Sequence, residues 1–142
     1  MRTAPWHFWV VGILALLWNA MGAWDYYASN MALPAYVEMM TPEQIAFFDA
    51  MPAWATGTWA IAVWGGLIGA VMLLARSALA APIFLISFAA MILTTIQNFL
   101  LSDIPMSDIM PPGAAIFSVV IFLVALFLVQ YTYRQKRKGR LR

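Results

Sequence analysis

The sequence predicts an all-α integral membrane protein, an antiparallel four-helix bundle with a short outer interfacial helix. Three observations lead there. Of the 142 residues, 64% are hydrophobic and 10% charged, whereas soluble domains carry roughly 25% charged residues. Four apolar runs each approach the roughly 20 residues needed to cross a bilayer as a helix. The charges also sort by sign. In a four-span chain all eight Lys and Arg fall on one side and all six Asp and Glu on the other.

The first run, about Trp6 to Trp24, is long enough at about 1.5 Å per residue to cross with little tilt. Arg2 before it and the small residues at Ala20 to Gly22 also resemble a secretory signal. With Met1 in place, the run is expected to stay as a span. The outer loop that follows, Asp25 to Ala53, contains "TPEQIAFFDAMP". There Thr41 can cap a helix, Pro42 suits its first turn and Gln44 completes a capping box, predicting a short helix from Pro42 to about Ala50. Its Ile45, Phe47, Phe48 and Met51 suit a membrane interface. A lid over the bundle mouth is the sharper alternative.

The second span runs from about Trp54 to Ala75 and the third from about Pro82 to Leu101. The short link "ARSALAAP" makes them an antiparallel hairpin. Three prolines and a glycine in "LSDIPMSDIMPPG" then break the chain before the fourth span, about Gly113 to Tyr133. Residues 134–142 form a basic tail, and the whole chain, 1–142, is read as one transmembrane domain. Arg2, Arg76, Arg134, Lys136, Arg137, Lys138, Arg140 and Arg142 share a side, so the positive-inside rule puts both termini in the cytoplasm. The expected location is a bacterial inner membrane.

Each span carries a line richer in small or polar residues at heptad-like spacing, the pattern of helices that pack closely in lipid. Span one gives Gly12, Ala15, Asn19, Gly22 and Tyr26; span two gives Thr58, Ala62, Gly65, Gly69 and Met72. Span three gives Ser87, Met91, Thr94 and Asn98, with Gln97 alongside. Span four gives Ala114, Ser118, Ile121, Ala125, Leu128 and Thr132. Gly12, Gly22, Gly65 and Gly69 are the expected helix-packing positions. The last two form a GxxxG contact motif, while Gly66 leaves a dimer face open.

Asn19, Thr94, Gln97 and Asn98 are expected to share one depth near the outer side, with Asp25, Tyr26 and Asp103 at the rim. Two readings apply. The residues bond helices to one another, or they line an outward-facing cavity for a neutral small molecule. The first is preferred because such bonding is common in membrane bundles. No ionisable group lies at mid-depth, which argues against a proton-coupled carrier and against a small multidrug exchanger with its embedded glutamate.

Other chemistry finds little to work with. The chain has no cysteine, which removes disulfides, thiolate nucleophiles and Cys-containing metal sites. The lone histidine, His7, lies at the inner end of span one and is read as a headgroup contact in preference to a haem ligand. It stands across the membrane from every acid, so no Ser/His/acid set is available. No enzyme activity, cofactor or metal is expected. Of the seven tryptophans, Trp6, Trp9, Trp24, Trp54 and Trp59 suit interfacial belts. Trp18 and Trp64 lie deeper and are read as packing. The basic tail is expected to bind anionic lipid headgroups; nucleic acid is not an expected partner.

The stretches "PWHFWVVGILALLWNAMGAWDYY", "TPEQIAFF", "MPAWATGTWAIAVWGGLIGA" and "TTIQNFLLSD" resemble a family of small bacterial, mainly alphaproteobacterial, membrane proteins. The resemblance covers nearly the whole chain, most specifically at WN…G…DY and MPAWA. Members are often labelled sugar transporters, so the resemblance implies transport of a neutral solute. From the residues themselves the leading expectation is a structural or accessory membrane protein acting through helix contacts with itself or a larger complex. The small transporter is the alternative.

Overall fold

A computed structural model describes residues 2–142. Among them there is no sheet, and four helices are long and apolar enough to span a membrane. In chain order the helices are α1 (Trp6–Asn30), α2 (Pro34–Val37), α3 (Pro42–Asp49), α4 (Ala53–Leu74), α5 (Ala80–Ile96), a π-helical turn (Gln97–Leu101), α6 (Met106–Ile109) and α7 (Ala114–Arg137). The protein is thus a membrane-embedded multi-helix body with short outer helices.

Helix α4 is the shared spine. On one side it faces α1, with Gly12 against Leu74, Gly22 against Val63 and Tyr26 against Trp59. On the other it faces α5, with Gly69 against Phe84, Gly65 against Ser87 and Thr58 against Thr94. Both series run in opposite directions along the two chains, so each pair is antiparallel. Helix α7 lies against α5, where the Phe88 and Phe122 rings meet at 5.2 Å. It reaches α1 through side chains, Trp18 to Phe117 at 6.0 Å and His7 Nδ1 to the Tyr131 hydroxyl at 3.2 Å.

Helix boundaries follow local chemistry. Thr41 and Gln44 make both bonds of the expected capping box at the start of α3. Helix α5 begins at Ala80, two residues before Pro82, because a first-turn residue needs no helical N–H partner. Gly113, at φ 87°, supplies the left-handed turn before α7. Helices α1 and α4 both end in Schellman turns with an unusual residue in the left-handed position, Ala32 at φ 47° and Arg76 at φ 58°. A side chain there costs about 1–2 kcal/mol.

Helix α1 continues to Asn30, six residues past the expected limit at Trp24, so its outer end projects by roughly 9 Å at 1.5 Å per residue. The basic tail also differs from a simple trailing segment. Helix α7 continues to Arg137, and Gly139, at φ 67°, turns the chain back across the inner end. There Arg142 N–H donates to Arg76 O at 2.9 Å, and Ala78 N–H donates to Arg142 O at 2.7 Å. The Arg76 guanidinium donates to the carbonyls of Arg140 and Arg2, and Arg2 N–H donates to Gly139 O. Leu141 fits among Phe8, Leu73, Phe84 and Leu128 in the buried inner cluster. The tail therefore closes the inner end while Arg134, Lys136, Arg137, Lys138 and Arg142 stay exposed.

Candidate functional site

Asn19 sits at the α1–α4 contact, half-buried, and its Nδ2 donates to Ala15 O one turn earlier at 2.8 Å. A Cβ on Gly66 would collide with Asn19 Oδ1. The glycine thus makes room for the carboxamide. Gly66 faces α1, whereas Gly65 and Gly69 face α5: a Cβ at Gly65 would approach Ser87 Cβ to 3.2 Å, and one at Gly69 would approach the Phe84 ring to 3.0 Å. Glycine-lined approaches of this kind let helix backbones come together in lipid. Gly12 lies beneath the Leu74 side chain and Gly22 in ordinary contact with Val63.

Hydrogen bonds join the same helices. Ser87 Oγ donates to Ala62 O across the α4–α5 gap at 2.5 Å. Farther out, Thr58 and Thr94 pair through their hydroxyls at 2.8 Å, and Thr94 also bonds Ala90 O. These contacts correct the expected shared level. Asn19 is at the height of Gly66 and Ser87, while Asn98 is 11 residues beyond Ser87 on α5 and its π-helical continuation, or about 16 Å along the axis. Because α1 runs on to Asn30, Asn19 lies deeper than a helix ending at Trp24 would place it.

The remaining polar candidates separate among the outer elements. Asp25 accepts a hydrogen bond from the Tyr36 hydroxyl, which α2 brings back toward α1. Tyr26 meets Trp59 edge-on at 4.9 Å, and Phe48 of α3 stacks on the same indole at 5.8 Å. Gln97 and Asp103 border a cleft of about 400 Å³ beside Phe47. Asn98 Oδ1 is buried and has no hydrogen-bond partner among the described residues. It lies in the π-helical turn, closed by Ser102 N–H donating to Gln97 O at 2.9 Å. The seven candidate ligand-binding residues therefore do not form one chamber.

A second cleft, about 430 Å³, opens between the outer halves of α1 and α7 beneath α3 and α6. Asp25 and Ser29 lie on its α1 side; Phe117 and Ser118 lie on its α7 side. Helix α3 covers the outer mouth through buried Phe47, the Phe48–Trp59 stack and Gln44 Nε2 donating to Ile109 O at 3.3 Å. The interfacial helix is consequently fastened to the bundle. Tyr36 and the methionines at 39, 40, 106 and 110 border this cleft but were absent from the sequence-derived site. Methionines recurring in both outer loops were the available signal.

At the inner end, His7 pairs with Tyr131, which gives the ring a protein neighbour in place of a purely headgroup environment. No group of three or more His, Cys, Asp or Glu among the described residues could hold a metal ion. Comparison with protein-family models, curated proteins and solved structures gives no match.

Proposed function

We propose that this chain is a non-catalytic structural or accessory protein of a bacterial inner membrane, with both termini in the cytoplasm, acting through helix contacts with itself or a larger complex. The main support is how its intramembrane polar groups are used. Asn19 fills the space above Gly66, Ser87 bonds the α4 backbone, and Thr94 bonds Thr58. The Ser87 and Thr58–Thr94 hydroxyl bonds join helices directly, while Asn19, bonded within α1, is held by its close fit against Gly66.

Helix α7 supplies a surface suited to that work. Only 6% of its most apolar stretch is buried, against 22% for each of the other three long helices. Ile116, Val119 and Leu123 project from it. Lipid covers such a face in a monomer, and another transmembrane helix covers it in an assembly. The exposed basic residues at the inner end suit anionic headgroups, at about 1 kcal/mol each near such a leaflet.

Purification of the full chain in mild detergent, with chemical crosslinking in native membranes beforehand, tests the assignment. A stable homo-oligomer or a defined membrane-protein complex is expected, with Leu123→Trp reducing crosslinking. A monomer that moves a sugar across reconstituted vesicles would replace this assignment with the transporter reading implied by the sequence resemblance.

A further inference from the structure

We propose that the outer cleft between α1 and α7 binds a cationic amphiphile, a compact apolar body carrying one positive charge, with the charge beside Asp25. The volume, about 430 Å³, lies within the range of roughly 300–1,000 Å³ typical of small-molecule sites. Its wall is mainly apolar. Methionines 39, 40, 106 and 110 contribute flexible, polarisable side chains that adapt to irregular ligands, and Phe117 adds an aromatic surface. Such a lining fits a hydrophobic body better than a sugar, whose many hydroxyls require a matching set of polar partners.

The sign of the ligand charge follows from the ends of the molecule. Asp25 is the acidic group on the cleft wall, and the other five acids, Glu38, Glu43, Asp49, Asp103 and Asp108, lie on the same outer loops and helix ends. Every Lys and Arg is in the inner cap or at the inner ends of the helices. Across α4 that separation is roughly 30 Å at 1.5 Å per residue, several times the screening length of about 8 Å at physiological salt. The outer cleft thus sits in a region of one sign. Tyr36 donates to one oxygen of the exposed Asp25 carboxylate and fixes it at the wall.

The test uses the full chain in nanodiscs of neutral phospholipid and measures equilibrium binding of radiolabelled tetraphenylphosphonium, with empty nanodiscs subtracted. Its anionic isostere, tetraphenylborate, separates charge selection from simple partitioning. One saturable phosphonium site is expected, with borate at least tenfold weaker. Asp25→Asn should weaken phosphonium binding at least tenfold. Ser118→Phe, which fills the cleft from α7 without touching the charge, should abolish the saturable component. Asp49→Asn, an outer acid away from the cleft, should leave it unchanged. Equal borate binding, wild-type affinity in Ser118→Phe, or equal losses in Asp25→Asn and Asp49→Asn would overturn the site, as would the absence of saturable binding to the native chain.

Discussion

Asn19 and Gly66 are complementary surfaces: the carboxamide oxygen of one occupies the volume that a Cβ on the other would need. The relationship is steric, since the carboxamide nitrogen bonds within its own helix to Ala15 O. It explains how a polar side chain inside the membrane can be accommodated without belonging to a solute path.

Gly66→Ala should therefore be costly. A methyl there meets the tip of the Asn19 side chain, which must swing aside and give up its bond to Ala15 O, so a cost of about 1 kcal/mol is expected, the low end of the overpacking range. Asn19→Leu, close in size, should cost less than about 1 kcal/mol because only a local bond is lost. Gly57→Ala is the control, with nothing within 4 Å of its added Cβ. Reversible unfolding in mixed detergent micelles measures all three, and an unaffected Gly66→Ala would contradict the packing.

The Thr58–Thr94 pair should show a modest coupling. Hydrogen bonds between membrane helices average about 0.6 kcal/mol in double-mutant cycles, so Thr58→Val and Thr94→Val should be non-additive by about that amount. Strict additivity would mean that the hydroxyls do not support one another.

These contacts also show what periodicity conveys. The lines through Gly12, Ala15 and Asn19 on α1 and through Gly65 and Gly69 on α4 mark close-packing faces, because small residues every three or four positions can serve little else in an apolar helix. Periodicity does not identify the neighbour. With α1 on one flank and α5 on the other, adjacent Gly65 and Gly66 serve different partners. The capping box at Thr41–Gln44 was legible because its bonds lie within four residues. Neither the continuation of α1 through Asn30 nor the cleft made by α1 and α7 was, since the first depends on a left-handed Ala32 and the second on elements about 90 residues apart.

Ala32→Gly should stabilise the outer end of α1 by about 0.5–1 kcal/mol, the relief of the left-handed side chain less glycine's greater entropy loss. Thermal unfolding in detergent checks this. A lower midpoint would show that Ala32 makes a contact outweighing its backbone strain.

The inner cap predicts a different response at Arg76, which is also left-handed. Arg76→Gly relieves the backbone but removes the guanidinium that donates to Arg2 and Arg140 carbonyls. It should loosen the tail, as should Leu141→Ala, for which about 2 kcal/mol is expected from loss of a buried leucine side chain. Limited proteolysis should cut after Arg137 or Lys138 faster in both variants than in the native chain. Unchanged cleavage would mean the tail is held by other contacts.

Disulfide trapping in native membranes tests the central arrangement most directly, because the chain contains no cysteine to interfere. Thr58→Cys with Thr94→Cys, and Gly22→Cys with Val63→Cys, should crosslink rapidly on mild oxidation, because the Thr58 and Thr94 hydroxyls stand 2.8 Å apart and a Cβ on Gly22 would lie 3.8 Å from Val63 Cγ1. Asn19→Cys with Asn98→Cys should not crosslink within one chain. Efficient trapping of that last pair, with failure of the first two, would contradict α4 as the shared spine and restore the two asparagines to a single site.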